Sequence, residues 1–550
     1  MYTIGLDFGT LSGRALLVDT RDGAELAESV FDYPHGVIDE TLPTTGQALP
    51  PEWALQDPTD YLETIRQTVP AVIRKSGLNP KDIKGLGIDF TASTVMPVKT
   101  DGTALRSLAK WQTNPHAWVK LWKHHAAQPQ ADRINALAEE RGEPWLERYG
   151  GKISSEWLFA KALQVLEEAP DVYHAADKFI EASDWVIWQL TGAETRSIST
   201  AGYKAMVQDG DYPPRDYFAA LNPDFVTIVD EKLSRNFAEL GTNAGGLSPQ
   251  WAETLGLPSE TAVAVGIIDA HASAPAAKAV NPGQMVMIMG TSTCHIMSAS
   301  SMQAVEGISG VVNGGIVRGL YGYEAGQSGV GDIFAWFVEH GVPQTYYDAA
   351  HKANLDIHSY LESEASQQSV GEHGLLALDW WNGCRSTLVD ANLSGMILGM
   401  TLATRAPDIY RALIESTAFG TREIIEAFES QGVSVDELVA AGGLPEKNAL
   451  LRQIYADVTG RTLKLAGSAQ APALGAAIHA AVAAGIYPDI QTAAEAMGKL
   501  KDEVVTPIPQ HKAIYDKLYA EYKKLYSYFG RGENNVMKTL KHIRNEAKAL

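Results

Sequence analysis

At 550 residues the chain is longer than a single hydrophobic core usually grows, so two or more domains are expected. Its apolar fraction of 45% is ordinary for a globular protein. A formal net charge of -21 argues against nucleic acid and anionic membranes, which both demand clustered cationic side chains, and leaves small molecules as the expected partners.

The N-terminal MYTIGLDFG carries an acid at Asp7 and no basic region ahead of a long apolar stretch, so no secretory signal is expected. Residues 2–20 read as two short β-runs around Gly9-Thr10-Leu11-Ser12-Gly13, a hairpin with a small-residue turn. In IKGLGIDFTAST a strand runs from Gly85 to Asp89 and ends in a polar loop. VAVGIIDAHASAPAAKAVNPG passes from a strand into a small-residue helix and then a Pro-Gly break, placing a lobe boundary near residues 262–283. Asp269, His271 and Lys278 interrupt its apolar character, so it is not a bilayer span. Residues 285–298, MVMIMGTSTCHIMS, repeat the opening plan of strand, turn and strand. A helix is expected over 408–430, where Ile409, Leu413, Thr417, Ile424 and Phe428 recur at helical spacing. VDELVAAGGLPEKNALLRQIYADV gives a strand ending at Gly442-Gly443 and then a helix. From about residue 508 the chain is Lys-rich and helical in pattern, with Tyr515, Leu518, Tyr522 and Leu525 on one face, which predicts a helix packed on the second lobe. Two strand–turn–strand openings, each followed by alternating strands and helices, point to a duplication into two α/β lobes.

The first turn has the parts of a polyphosphate site: glycines that let backbone N–H groups approach oxygens, the hydroxyls of Thr10 and Ser12, and the charge of Arg14. Asp7, at the strand end, is placed to hold a hydrated Mg²⁺ through water. A plain hairpin turn explains this segment equally well taken alone. The matching turn Gly290-Thr291-Ser292-Thr293 tips the reading toward a nucleotide clamped between lobes. No Gly-Lys-Ser/Thr of a Walker A loop is present, nor the His-Arg-Asp and Asp-Phe-Gly set of protein kinases. Asp269 follows an apolar strand and precedes small residues, which suits a carboxylate that accepts a proton from a hydroxyl during phosphoryl transfer; a helix N-cap is the competing role. His124, His125, His271 and His295 form no metal motif, and Trp380-Trp381 read as buried aromatic packing. Cys294 and Cys384 are too few for a disulfide framework, which fits a reducing cytoplasm.

The Asp7 turn, the Gly290 turn and the segment Gly442-Gly443-Leu444-Pro445-Glu446-Lys447-Asn448 resemble, in order, the three nucleotide motifs of the FGGY carbohydrate kinases, a branch of the actin-like ATPase fold. The resemblance runs along nearly the whole chain. It implies an α/β protein of two actin-like (ribonuclease H-like) lobes with an interlobe catalytic cleft: a sugar-binding lobe over 1–270 and a nucleotide-binding lobe over 271–550 that ends in a helical extension. It further implies ATP and Mg²⁺ as cofactors. Thr10, Ser12, Arg14 and Thr291 would then touch the phosphates, Gly331, Gly442 and Gly443 would line the nucleoside side, and Asn448 would lie near the adenine. Leu11 departs from the family, which often has a second hydroxyl there. Asp269 takes the family's general-base position. The segments GIDFTAST, AGYKAMV, GIIDAHAS, GYEAGQS and LLALDWWNGCRSTLVDANLSGMILGMTLATR resemble the branch that phosphorylates ribulose in arabinose catabolism. Ala92-Ser93 stand where glycerol-phosphorylating members carry Arg-Glu. By that resemblance Lys204, Glu324, Asp269 and the backbone at Ala92 and Ser93 contact the sugar. The implied partners are a small-molecule sugar and ATP, and a homodimer is compatible with the family. The readings kept beside this one are a kinase for xylulose or another polyol, an actin-like filament protein, and a sugar-responsive regulator.

Overall fold

A computed structural model describes residues 1–549. The predicted opening hairpin is present: Tyr2–Phe8 and Ser12–Asp19 pair antiparallel, and Glu25–Asp32 adds antiparallel to the second strand. On the other side of the first strand, Ile83–Phe90 and then Ala262–Ala264 lie parallel, with Ile267–Ile268 beside Asp89 and Phe90 and Asn243–Gly246 at the edge. In the second half Gln284–Met289 and Thr293–Ala299 form the matching hairpin. Tyr321–Gln327 adds antiparallel to that hairpin's second strand, while Glu437–Ala441 and Leu463–Ala466 follow parallel beside its first. The five strands named for the second half follow the same spatial order and senses as Glu25–Asp32, Ser12–Asp19, Tyr2–Phe8, Ile83–Phe90 and Ala262–Ala264 of the first, with further strands added at the sheet edges. That shared order is the structural form of the duplication.

The alternation of side chains along a strand decides what each face meets. In the first strand Ile4, Leu6 and Phe8 join Leu17, Val69 and Ile88 in a core beneath Pro58–Ser76. The other face carries Thr3, Gly5 and Asp7, in register with Gly85, Gly87 and Asp89 of the neighbouring strand. Against this nearly bare surface lies the small-residue helix Ala471–Ala483 from the second half of the chain. Thr3 Oγ1 donates to the Ala477 carbonyl at 2.9 Å. A Cβ on Gly5 or Gly87 would stand 1.8 Å from the carbonyl oxygen of Ala473 or Ala476, so only glycine permits this approach. The same helix packs its other side on Asp269–Ala276, where a Cβ on Gly475 would meet the Ala272 oxygen at 1.7 Å. Leu16 and Val18 of the first sheet and Val286 and Val439 of the second join the resulting core.

Residues 128–235 add a mostly helical, aromatic-rich unit with its own core, linked to the first sheet by four short strands that include Val95–Val98 and Lys178–Glu181. In the second half the expected long helix spans Ala406–Ser430. The final long helix, Pro509–Gly530, packs on it through Tyr515, Tyr519, Tyr522 and Tyr526; the first three phenols bond buried acids and the fourth the hydroxyl of Thr387. Leu518 and Leu525 lie only at the margin of that face. Trp380 is buried against Tyr526, with ring centroids 5.2 Å apart. No helix of the described residues is long and apolar enough to cross a membrane.

Candidate active site

The first turn is closed by the Gly9 amide donating to the Ser12 carbonyl at 3.0 Å. Thr10, at its tip, is held by two side chains from further along the first half: Gln56 Nε2 donates to its carbonyl at 2.7 Å and Trp122 Nε1 to its Oγ1 at 3.1 Å. Leu11 is 63% exposed beside it. Ser12 opens the next strand, half-buried. Arg14 turns toward Asp7, with Nε 3.2 Å from the carboxylate, and donates through Nη1 to Gln470 Oε1 at 2.5 Å, a bond across the two halves of the chain.

The second turn repeats the closure, with Gly290 donating to the Ser292 carbonyl at 2.9 Å and Thr291 exposed at the tip. Its backbone is pinned by the start of the helix Gly331–Gly341, since Val330 N–H donates to the Thr291 carbonyl and Gly331 N–H to the Gly290 carbonyl. A Cβ on Gly331 would lie 2.6 Å from the Gly290 oxygen. Gly442, at φ +96, would place a Cβ 2.4 Å from the Met289 oxygen. Three segments distant in sequence therefore meet backbone to backbone. Gly443 is open beside them. Asn448 works as a helix N-cap: its Oδ1 accepts from Leu451 N–H at 2.7 Å, so only the Nδ2 end remains for a ligand.

Three carboxyl groups, Asp7, Asp89 and Asp269, cluster at the ends of neighbouring elements of the first half. Asp269 is the first residue of its helix, and its Oδ1 accepts from the Ala270 amide at 2.7 Å. Burial, with Asp7 and Glu324 nearby, pushes its carboxyl up from 3.8 to about 7 against the pull of that amide and of Lys204. Asp7 is also raised by burial, an effect opposed by Arg14. The third acid, Asp89, was not among the residues the sequence singled out. It is fully buried, opposes Asp7 across parallel strands, and neither of its oxygens has a hydrogen-bond donor among the described residues. Burial and the charges of Asp7 and Asp269 hold its carboxyl well above the usual range.

Lys204 ends the helix Ile198–Lys204 and reaches Glu324 on the strand Tyr321–Gln327, with Nζ to Oε2 at 3.1 Å. His271 Nε2 meets the same oxygen at 3.2 Å, and Arg385 Nη2 donates to Oε1 at 2.5 Å. Burial would raise Glu324, but Lys204, His271 and Arg385 together hold it well below the usual carboxylate range. Ala92 is half-buried, and Ser93 adopts φ +60. The buried Lys161 donates to the Ser93 carbonyl at 2.5 Å and the Leu121 carbonyl at 2.8 Å, tying this loop to the segment that carries Trp122. His124 is buried between the Ala54 amide and Gln164 and faces no cleft. The structure thus links Asp7, Arg14, Lys204, Asp269 and Glu324 through ion pairs and neighbouring charges, and brings the Gly331 and Gly442 backbones against the Gly290 hairpin. Asp89, His271 and Arg385 were missed. For Asp89 the available signal was its place at the end of an apolar strand, matching Asp7; for Arg385 it was the polar centre of an aromatic run.

Residues 2–275 match the N-terminal domain and residues 285–484 the C-terminal domain of the FGGY family of carbohydrate kinases. A protein named ribulokinase from Halalkalibacterium halodurans is 55% identical over 549 residues, covering 99% of this chain and 98% of the relative. A second ribulokinase, from Mycolicibacterium smegmatis, is 54% identical over 548 residues, 100% and 97% of the two chains. Among solved structures, a xylulose kinase from Rhodospirillum rubrum superposes with TM-score 0.78 at 22% identity, covering 96% of this chain and 98% of that one. A glycerol kinase from Plasmodium falciparum with ADP gives 0.74 at 15% identity, covering 95% and 97%. These two likenesses speak to the fold, the two-lobed actin-like α/β architecture.

Proposed function

The chain belongs to the FGGY family of carbohydrate kinases, and from that premise we propose that it transfers the γ-phosphoryl group of ATP to the terminal hydroxyl of ribulose, giving ribulose 5-phosphate and ADP. The observation that carries this reading is the position of Asp269, a carboxyl raised to about 7, between a phosphate-type turn and the Lys204–Glu324 pair. The substrate rests on the relatives named ribulokinase, which match along the whole chain.

In this reading the amides and hydroxyls at Thr10, Ser12 and Thr291, with Arg14, hold the phosphates, while the glycine-lined wall at Gly331, Gly442 and Gly443 takes the nucleoside and Asn448 offers Nδ2 near the base. The sugar lies along Ala92, Ser93, Lys204 and Glu324. Asp269 accepts the proton of the terminal hydroxyl as its oxygen forms the new bond to phosphorus and the bond from phosphorus to the β-phosphate oxygen breaks. A base near 7 is matched to this task, since it is ionised at working pH yet still basic enough to take the proton. The cleft also suits Mg²⁺: Asp7 and the donor-free Asp89 are hard oxygen groups, the kind that holds this ion together with water and substrate phosphates. Bound there, Mg²⁺ would neutralise charge on the β- and γ-phosphate oxygens. Work in the cytoplasm fits an enzyme that uses ATP and a small sugar.

A panel of pentuloses, pentitols and glycerol assayed with ATP, with and without EDTA, tests the reading. Ribulose should have the highest kcat/KM, and EDTA should stop turnover. Better turnover of xylulose or glycerol would overturn the substrate and leave the kinase.

A further inference from the structure

The loop 380–391 is built around Arg385. Cys384 and Asp390 exchange backbone hydrogen bonds at 3.0 and 2.8 Å, closing the loop. Ser386 is stapled to the strand at Gly326, its N–H donating to the Gly326 carbonyl at 3.1 Å and its hydroxyl accepting from the Gly326 amide at 3.2 Å. A Cβ at Gly326 would sit 3.1 Å from Arg385 Nη1, so the strand is cut back where the guanidinium crosses it. The side chain keeps 35% of its surface open, between Glu324 of the second half and Glu156 of the first.

A guanidinium has five N–H donors. Among the described residues Arg385 uses one on Glu324 Oε1 at 2.5 Å, one on Ser309 Oγ at 3.3 Å and a weak one on Cys294 Sγ at 3.9 Å. Two N–H groups are left without an acceptor. Glu324 is fully subscribed, with Lys204 on both of its oxygens, His271 on one and Arg385 on the other. The pocket therefore meets a sugar with spare donors, and those donors favour an oxygen that only accepts.

The chemistry of the substrate supplies such an oxygen. A 2-ketopentose closes its furanose ring through the C5 hydroxyl, the same hydroxyl that must attack phosphorus. The reactive form is therefore open-chain and presents a free C2 carbonyl, an acceptor with no proton to give. We infer that Arg385 contacts the sugar directly, donating its free N–H groups to the keto oxygen, and so selects pentuloses over the pentitols that carry a hydroxyl there. The inference rests on the proposed pentulose substrate.

The test compares kcat/KM for ribulose and for its reduction products ribitol and arabitol in the parent, Arg385→Gln, Arg385→Lys, Glu324→Gln and the double variant Arg385→Gln/Glu324→Gln, with ADP affinity and melting temperature as controls on the fold. Losing a charge-assisted hydrogen bond to the ketone should lower kcat/KM for ribulose on the order of 10- to 100-fold, mostly through KM. The pentitols should lose clearly less, Arg385→Lys should recover part of the loss, and the double variant should bind ribulose more weakly than Glu324→Gln alone. Equal losses on ketose and pentitols, or a double variant no worse than Glu324→Gln, would overturn the inference, because Arg385 would then act only by orienting Glu324. A parent enzyme that ignores ribulose would instead fail the proposed function, a result visible before any variant is made.

Discussion

Replacing Asp269 by Asn preserves size and the hydrogen bond to the Ala270 amide but removes the basic oxygen. Raising a carboxyl from 3.8 to about 7 means that the folded cleft disfavours its charge by about 4 kcal/mol relative to water. Three consequences follow from the sign of that shift. Parent kcat/KM should rise about tenfold per pH unit below about 7 and level off above it, as the base ionises. In the Asn variant kcat should fall by a factor on the order of 10² or more above about pH 7, with a smaller gap at lower pH where the parent's base is protonated, and with nucleotide affinity almost unchanged. For stability, an acid whose folded value lies above its unfolded one destabilises the fold from the unfolded pKa upward, and the penalty is complete above about 7. The ligand-free variant should therefore withstand more urea than the parent at pH 8, by at most about 4 kcal/mol before relaxation of the site, and the advantage should shrink toward pH 4. ADP release in a coupled assay from pH 5.5 to 8.5, with urea midpoints at both ends, measures all three. Parental turnover by the variant would refute the assignment, as would a flat pH profile.

Gly331→Ala drives a methyl toward the Gly290 carbonyl at 2.6 Å, so it should cost about 1–3 kcal/mol, raise KM for ATP and leave sugar binding by tryptophan fluorescence intact; an unchanged KM for ATP would separate this wall from the nucleotide. Asp89→Asn should raise the melting temperature of the ligand-free protein at pH 8, by about 1–2 °C for each kcal/mol recovered, and by less at pH 5, because the penalty of a raised carboxyl grows with pH above its unfolded value. No gain at pH 8 would mean that this carboxyl is not strained by its burial.

The parts of the site that alter local pattern were legible in the sequence. The two turns interrupt apolar runs with small residues, and Asp269 breaks an apolar strand where a helix begins, so each announces itself within a few residues. Asp89 left a fainter trace, because its meaning comes from register: it matters as the neighbour of Asp7, a pairing across 82 positions that only the sheet creates. Arg385 was visible as part of a family-like run, yet its role depends on Gly326 and Glu324 lying beside it. The final helix repeats the lesson. Periodicity indicated an apolar face with Tyr515 and Tyr522, but Tyr519 and Tyr526 displaced the leucines there because buried Glu423 and the loop hydroxyl of Thr387 offer partners to their phenols.

The seat of Ala471–Ala483 on the first sheet bears on how the protein is made. The sheet that holds Gly5, Gly85 and Gly87 is complete once the ribosome passes Ile268, but the helix that covers its glycine face is finished only roughly 200 residues later, about 10–40 s at ordinary rates of synthesis. Through that interval the nascent chain presents a strip of nearly naked backbone suited to any passing small-residue helix. A gene cut after the first homologous half would leave the strip open permanently. Such a fragment should aggregate or engage chaperones rather than behave as a portable sugar-binding module, and chimaeras between relatives should exchange the first half together with residues 471–483.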